Sequence, residues 1–163
     1  MTVCYFGIYR PEYCRNRILI RGLMQNGVEV IECTSHRHGI IKYFDLIRKH
    51  WRLRKRYNVM IIGYPAQQAT VLARFLTRRP IIFDAFVPLY DSAVNARRSI
   101  KRWGIIGVYY WLLEWLSCRL ADKIIVDTNA HLEYFANTFH VRRNKFFRIF
   151  IGAEDDVFYP QPT

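Results

Sequence analysis

Short apolar runs alternate with segments of helical periodicity along almost the whole chain. The apolar runs are rich in β-branched and aromatic residues and have no clean polar face, a pattern that predicts strands covered on both sides. These predicted strands are residues 3–9, 28–33, 59–63, 81–83 (ending at Asp84), 123–127 and 146–151.

The segments between the runs carry apolar residues at helical spacing. They predict helices over residues 15–26, 40–57, 66–77 and 103–121, and a further helix that Thr128 or Asn129 caps and that ends near Phe139. Residues 85–102 are expected to be irregular. Strict alternation of strand and helix predicts right-handed crossovers, and so a Rossmann-like, doubly wound α/β fold with a mainly parallel sheet and helices on both faces.

One domain over residues 1–152 accounts for this pattern. After Gly152 the chain passes through an acidic turn at residues 154–156 and leaves as a strap with two aromatic residues that ends at Pro160. Residues 153–163 are therefore expected to begin a linker toward a second lobe.

The charge balance changes the choice of partners. A formal net charge of +12 favours a polyanion: a phosphorylated substrate, an anionic membrane surface or nucleic acid.

The four cysteines do not have the spacing of a metal site or a disulfide framework, so reduced thiols are expected. The segment 103–121 carries Glu114 and Arg119, which indicates a buried or interfacial helix rather than a membrane span. No signal peptide is expected, and the protein is expected to be cytoplasmic.

Four stretches together resemble a known family: RPEYCRNRILIRGLMQNGVEVIEC, IIFDAFVPLYDSAV, LSCRLADKIIVDTNAHLEYF and KFFRIFIGAEDDVFYP. They look like the N-terminal, acceptor-side domain of a retaining, family-4-like GT-B glycosyltransferase. The resemblance implies transfer of a sugar from a nucleotide-sugar to a sugar or lipid-linked acceptor. It also implies that the donor binds only to a C-terminal domain or partner subunit that this sequence lacks, so that the chain is inactive alone.

The chain departs from that family at two places. Many relatives have a glycine-rich loop after the first strand, where this chain has residues 10–17, RPEYCRNR. Many relatives also have a histidine after the fourth strand, where this chain has Asp84 and Asp91. Either aspartate could orient or deprotonate an acceptor hydroxyl, and both are our catalytic candidates. The alternatives are that the leaving phosphate takes the proton, or that Asp84 only holds a loop.

Ligands of doubly wound sheets bind beyond the carboxyl ends of the strands. The predicted substrate-binding residues therefore lie in the loops at those ends or open the next helix: Arg10, Tyr13, Arg15, Asn16, Arg17, Tyr64, Phe86 and Tyr90. The arginines at the first helix could hold a phosphate or carboxylate. They could instead pair with local acids such as Glu12 or Glu29.

The densest positive charge lies near the end of the second predicted helix, with apolar residues interleaved. This basic amphipathic pattern is typical of helices that lie on anionic bilayers, here the inner membrane face, although a solvated helix face is the alternative. The predicted membrane-surface residues are Arg48, Lys49, Trp51, Arg52, Arg54, Lys55 and Arg56. Nucleic acid is less favoured because no binding motif accompanies the charge.

No metal or cofactor is expected. A non-catalytic module that binds a sugar or phosphate is the main rival to an enzyme.

Overall fold

The computed structural model describes residues 1–65, 67–96, 100–101 and 104–152. Within them, six strands form one sheet in the order β2-β1-β3-β4-β5-β6, and every neighbouring pair is parallel. The strands are β1 Thr2–Gly7, β2 Glu29–Thr34, β3 Val59–Ile62, β4 Ile81–Phe86, β5 Lys123–Val126 and β6 Phe146–Arg148. The predicted parallel, Rossmann-like α/β fold is confirmed.

Helices cover both faces of this sheet. They are α1 Cys14–Gln25, α2 Ile41–Leu53, α3 Gln67–Leu76, α4 Leu89–Asp91, α5 Ile105–Leu120 and α6 Asn129–Phe139. Alternate residues of β1 belong to different cores: Phe6 packs in the larger core, and Tyr5 packs with Ile20 of α1 in the smaller one. Because each face needs its own apolar side chains, the strand is a continuous apolar run.

Several boundaries differ from the predicted ones. The second helix ends at Leu53 instead of residue 57, and β6 ends at Arg148 instead of residue 151. Strand β4 continues to Phe86, and α4 with a π-helical turn over Ser92–Ala96 occupies part of the stretch predicted to be irregular. The acidic turn, the aromatic strap and the linker all lie outside the described residues.

The strand order reverses between β1 and β3, which lie side by side although β2 separates them in sequence. A doubly wound sheet opens a crevice at such a point, beyond the carboxyl ends of the strands. Gly63 follows β3 there, and a Cβ at this residue would lie 2.5 Å from the Tyr5 ring. No helix in the described part of the chain combines the length and apolar character that a membrane span requires.

Candidate functional site

A buried ion pair joins the start of α1 to β4. Arg15, at the start of α1, donates from Nε and Nη2 to the two carboxylate oxygens of Asp84, at 3.1 and 2.8 Å. The two side chains are 3% and 0% exposed. Burial raises the pKa of Asp84, while the hydrogen bonds and charge of Arg15 oppose that rise. The predicted anion-binding residue Arg15 and the predicted catalytic residue Asp84 therefore bind each other, and Arg15 uses two of its donors on the two carboxylate oxygens.

Asn16 joins the loops that follow β1 and β3. Its amide nitrogen donates to the carbonyl oxygens of Tyr64 and Arg10, at 2.8 and 3.3 Å. Its Oδ1 accepts from the backbone N–H of Tyr64 and from the Tyr5 hydroxyl, both at 3.0 Å. Asn16 is fully buried, so these contacts give this predicted substrate-binding residue a role in positioning the crevice wall.

An aromatic cleft of about 430 Å³ opens at the carboxyl ends of β3 and β4. Tyr13 stacks on Tyr64, with ring centres 5.7 Å apart, and Tyr64 meets Phe86 edge to face at 5.1 Å. The other lining residues are Val87, Leu89, Ser92, Ala93, Ile100 and Tyr110. Three residues that the sequence nominated separately therefore form one wall.

Phe86 has an unusual backbone for a bulky residue, with φ at +45°. The pairing of β4 with β5 is irregular at this point, between Asp84 and Phe86. The Arg15 guanidinium carbon lies 4.8 Å from the centre of the Phe86 ring. A conformation of this kind costs about 1–3 kcal/mol and is found most often at binding sites. Here it directs the Phe86 ring over the ion pair and into the cleft wall.

Glu114 of α5 holds the opposite wall and was not among the predicted site residues. Its carboxylate accepts the backbone N–H groups of Leu89 and Tyr90, at 2.6 and 3.1 Å, and the Gln67 side chain at 3.3 Å. Burial raises the pKa of Glu114 to about 7, against the pull of these three donors. The available signal was a single carboxylate within a helix that is otherwise apolar and aromatic.

Asp127 and His131 form a second pair at the end of β5. His131 Nδ1 lies 2.5 Å from Asp127 Oδ1, and Asp127 is close enough to Asp84 to raise the pKa of that carboxyl. With Nδ1 donating to Asp127, Nε2 of the neutral imidazole can accept a hydrogen bond from a ligand hydroxyl. Residues 127–131 follow a predicted strand, so the strand-end rule nominates this loop as well, whereas helix capping is the favoured interpretation of residues 127–129. The pairing of Asp127 with His131 was not predicted.

The remaining predicted residues lie in different places. Arg17 lines a separate hollow with Glu12, away from the aromatic cleft. Arg10 lines a second cavity, on the β2 side of β1. Tyr90 is buried, and Asp91 is half-buried and near Glu114. These positions neither establish nor contradict the predicted roles. In the described part of the chain, no three side chains cluster as metal ligands would.

The predicted membrane-surface residues lie partly in α2 and partly just after it, since Arg54, Lys55 and Arg56 follow the helix end at Leu53, and they divide into two groups. Lys49 donates to the Thr34 carbonyl and the Asp45 carboxylate, at 2.7 and 2.8 Å, so it helps hold the fold together. The Arg54 guanidinium lies 3.7 Å from the centre of the exposed Trp51 ring. The other predicted membrane-surface residues are exposed: Arg48, Arg52, Lys55 and Arg56.

Comparison with known proteins identifies the fold. No protein-family model and no curated protein sequence matches the chain. Alr3699/HepE from Anabaena, in complex with UDP and glucose, is similar over 99% of this chain at 14% identity, with a TM-score of 0.58. The same protein in complex with UDP is similar over 96% of the chain at 16% identity, with a TM-score of 0.51. The chain spans 47% and 44% of those two chains, so about half their length. The likeness shows a GT-B-like fold.

Proposed function

We propose that this chain is the acceptor-binding half of a glycosyltransferase that uses a nucleotide-sugar donor. The observation that carries the proposal is the wall formed by Tyr13, Tyr64 and Phe86, at the edge of the sheet where this fold binds ligands. Flat aromatic faces suit the apolar faces of sugar rings, and neighbouring polar groups can bind their hydroxyls. The fold is shared with a protein crystallised with UDP and glucose, which supports a sugar as the ligand.

The donor would bind to the other half of such an enzyme, in a C-terminal domain or a partner subunit. This division is supported by the share of HepE that the chain spans, 47%. In a retaining reaction, as the family resemblance implies, the leaving phosphate can take the proton of the acceptor hydroxyl. The acceptor side then needs groups that orient the hydroxyl, and Asp91 and the Asp127–His131 pair are candidates for that role.

A transfer assay tests the proposal. The chain is incubated with labelled UDP-glucose and a panel of saccharide acceptors, alone and together with the product of the neighbouring reading frame. We expect transfer by the pair, and at least a tenfold lower kcat/KM with Tyr13→Ala. The control is Phe75→Ala, which removes an aromatic residue that is 84% exposed on α3. Absence of transfer by two folded partners would contradict the proposal.

A non-catalytic sugar-binding module is the second candidate. It is favoured by the Arg15–Asp84 pair, because Arg15 already binds both oxygens of a predicted catalytic carboxylate. This candidate predicts saturable binding of a saccharide by the chain, lost in Tyr13→Ala, without transfer in any combination of partners. The product assay separates the two functions.

We also propose that α2 binds the chain to an anionic membrane surface. Leu46 and His50 pack inward, while Phe44, Arg48 and Trp51 share the opposite, exposed face. Each cation near such a surface contributes about 1 kcal/mol, and exposed aromatic rings add apolar contact. This arrangement supports a peripheral protein.

Vesicle flotation at two salt concentrations tests this proposal. We expect binding to vesicles with phosphatidylglycerol and none to pure phosphatidylcholine, with a fivefold loss in Phe44→Ser/Trp51→Ser. Phe75→Ser is the control because Phe75, at 84% exposure, is even more exposed than Phe44 and Trp51 but lies on α3. Salt-sensitive DNA binding without flotation would favour nucleic acid instead.

A further inference from the structure

A second cavity, of about 370 Å³, lies where β1 and β2 end and the chain turns into α2. It is separate from the aromatic cleft, since the two share no lining residue. Five of its lining side chains are cationic or imidazole groups, brought together from three parts of the chain: Arg10, His36, Arg37, His38 and Lys42. Only Arg10 of these is among the substrate-binding residues that the sequence predicts.

Two carboxylates contact lining residues of this cavity: Glu32, which accepts from the Tyr9 hydroxyl at 2.9 Å, and Asp45. Asp45 accepts from Ser35 Oγ and Lys49 Nζ, both at 2.8 Å, and lies 3.8 Å from Arg48. The bond from Lys49 is the main cause that lowers the pKa of Asp45. Arg48 and Lys49 lie outside the cavity lining, and Arg37 is the only one of the five that also lowers the pKa of Asp45, as the smallest of the causes, so cations outside the cavity compensate most of the negative charge of Asp45. The cavity therefore retains a positive field.

The backbone at this cavity also favours an anion. Gly39, at φ +60°, turns the chain into α2, and no side chain caps the first turn of that helix. Lys42 stands in this turn, where the helix dipole repels a cation. A bound anion would compensate both Lys42 and the uncapped N–H groups. This adds to the five side chains and would not by itself indicate a site.

We propose that this cavity binds a phosphate or pyrophosphate group, and that it holds the phosphate of the acceptor. The assignment to an acceptor rests on the proposed function, whereas the binding of phosphate does not. Ile40 and Ile41, which follow Gly39, are 69% and 57% exposed. An amphiphilic phosphate could therefore place its charged group in the cavity and its apolar part against these side chains.

Titration of the full chain with inorganic pyrophosphate tests the site, by calorimetry and by backbone amide NMR at constant ionic strength. We expect saturable binding that shifts the amides of residues 37–43. The variant Arg37→Gln/Lys42→Gln should bind at least tenfold more weakly. The matched control Arg78→Gln/Arg142→Gln removes the same charge from exposed positions outside the cavity and should change the affinity less than twofold.

Equal losses in the two double variants, with both folded, would overturn the proposal, because they would indicate only diffuse attraction. Unsaturable binding of pyrophosphate would overturn it as well. Vesicles containing phosphatidylglycerol then identify the source of the phosphate. If pyrophosphate releases the protein from these vesicles, and sodium chloride of equal ionic strength does not, the phosphate is that of a lipid headgroup. If pyrophosphate releases none of the bound protein, the phosphate is that of a soluble molecule. Sugar transfer is measured separately, so a failed transfer assay leaves the phosphate site standing.

Discussion

Arg15 and Asp84 lie 69 residues apart in sequence, yet the guanidinium of one donates two hydrogen bonds to the carboxylate of the other. The pair fastens the start of α1 to the end of β4. Arg15 Nη1 also donates to the Ile149 carbonyl at 3.4 Å. The pair therefore joins the first, fourth and sixth strand ends around the proposed binding edge.

Breaking this pair from one side should be costly. Asp84→Asn leaves the buried Arg15 without its counter-charge, and we expect a loss of about 3–5 kcal/mol in the free energy of unfolding. Urea denaturation followed by circular dichroism measures it. Glu133→Gln is the control, because Glu133 binds Arg143 at 2.6 Å on the exposed surface and should matter little. If both substitutions lower the free energy of unfolding by similar amounts, burial does not determine how much the Arg15–Asp84 pair contributes to stability.

The raised pKa of Glu114 makes stability depend on pH. Glu114 has a pKa of about 7 in the folded chain and 4.5 as an ordinary glutamate, so between these values the folded state binds the extra proton. Its contribution is complete below about pH 4.5 and is lost as the pH rises toward 7. At about 1.4 kcal/mol per pKa unit, the full loss is about 3–4 kcal/mol.

Comparison with Glu114→Gln isolates that contribution from other titrating groups. The unfolding free energy of the native chain, minus that of Glu114→Gln, should fall between about pH 4.5 and pH 7 and change little above that. Gln cannot titrate, and its imperfect match to the N–H groups of Leu89 and Tyr90 gives only a constant offset. Parallel pH curves for the two proteins would refute the prediction.

Gly63 is required for close packing. A Cβ there would lie 2.5 Å from Tyr5 and 2.9 Å from Tyr9, and both rings are buried. We expect Gly63→Ala to destabilise the chain by about 1–3 kcal/mol. Gly22, within α1, has open space around its Cβ position, so Gly22→Ala should stabilise by up to about 1 kcal/mol. Thermal melting distinguishes the two, and equal shifts would contradict the packing argument.

Thr128 caps α6 through its side chain. Its Oγ1 accepts the backbone N–H of His131 at 3.1 Å, whereas Asn129 is the first residue of the helix. Thr128→Ala should therefore cost about 1 kcal/mol of unfolding free energy, and Asn129→Ala close to none. Chemical denaturation of both variants decides between them. A larger effect of Asn129→Ala would place the cap one residue later.

Local patterns were sufficient to predict β5 and α6. The apolar run at residues 123–127, the cap at Thr128 and the helix end at Phe139 all agree with the structure to within one residue. Here each signal depends on neighbouring residues. The helical turn over Leu89–Ala96 was missed, because its first N–H groups bind Glu114, which lies 24 and 25 residues away. Local helix propensity cannot predict a hydrogen-bond partner that is so distant in sequence.

The sequence by itself determined the alternation of strand and helix, and with it the parallel sheet and the edge at which sheets of this class bind ligands. These properties follow from periodicity and from burial on both faces, which every apolar run displays. Only the tertiary structure decided that Arg15 binds Asp84, that Tyr13, Tyr64 and Phe86 share one wall, and that five basic side chains meet at a second cavity. The physical reason is that packing and ion pairing depend on which strand ends become neighbours, a property of the folded sheet.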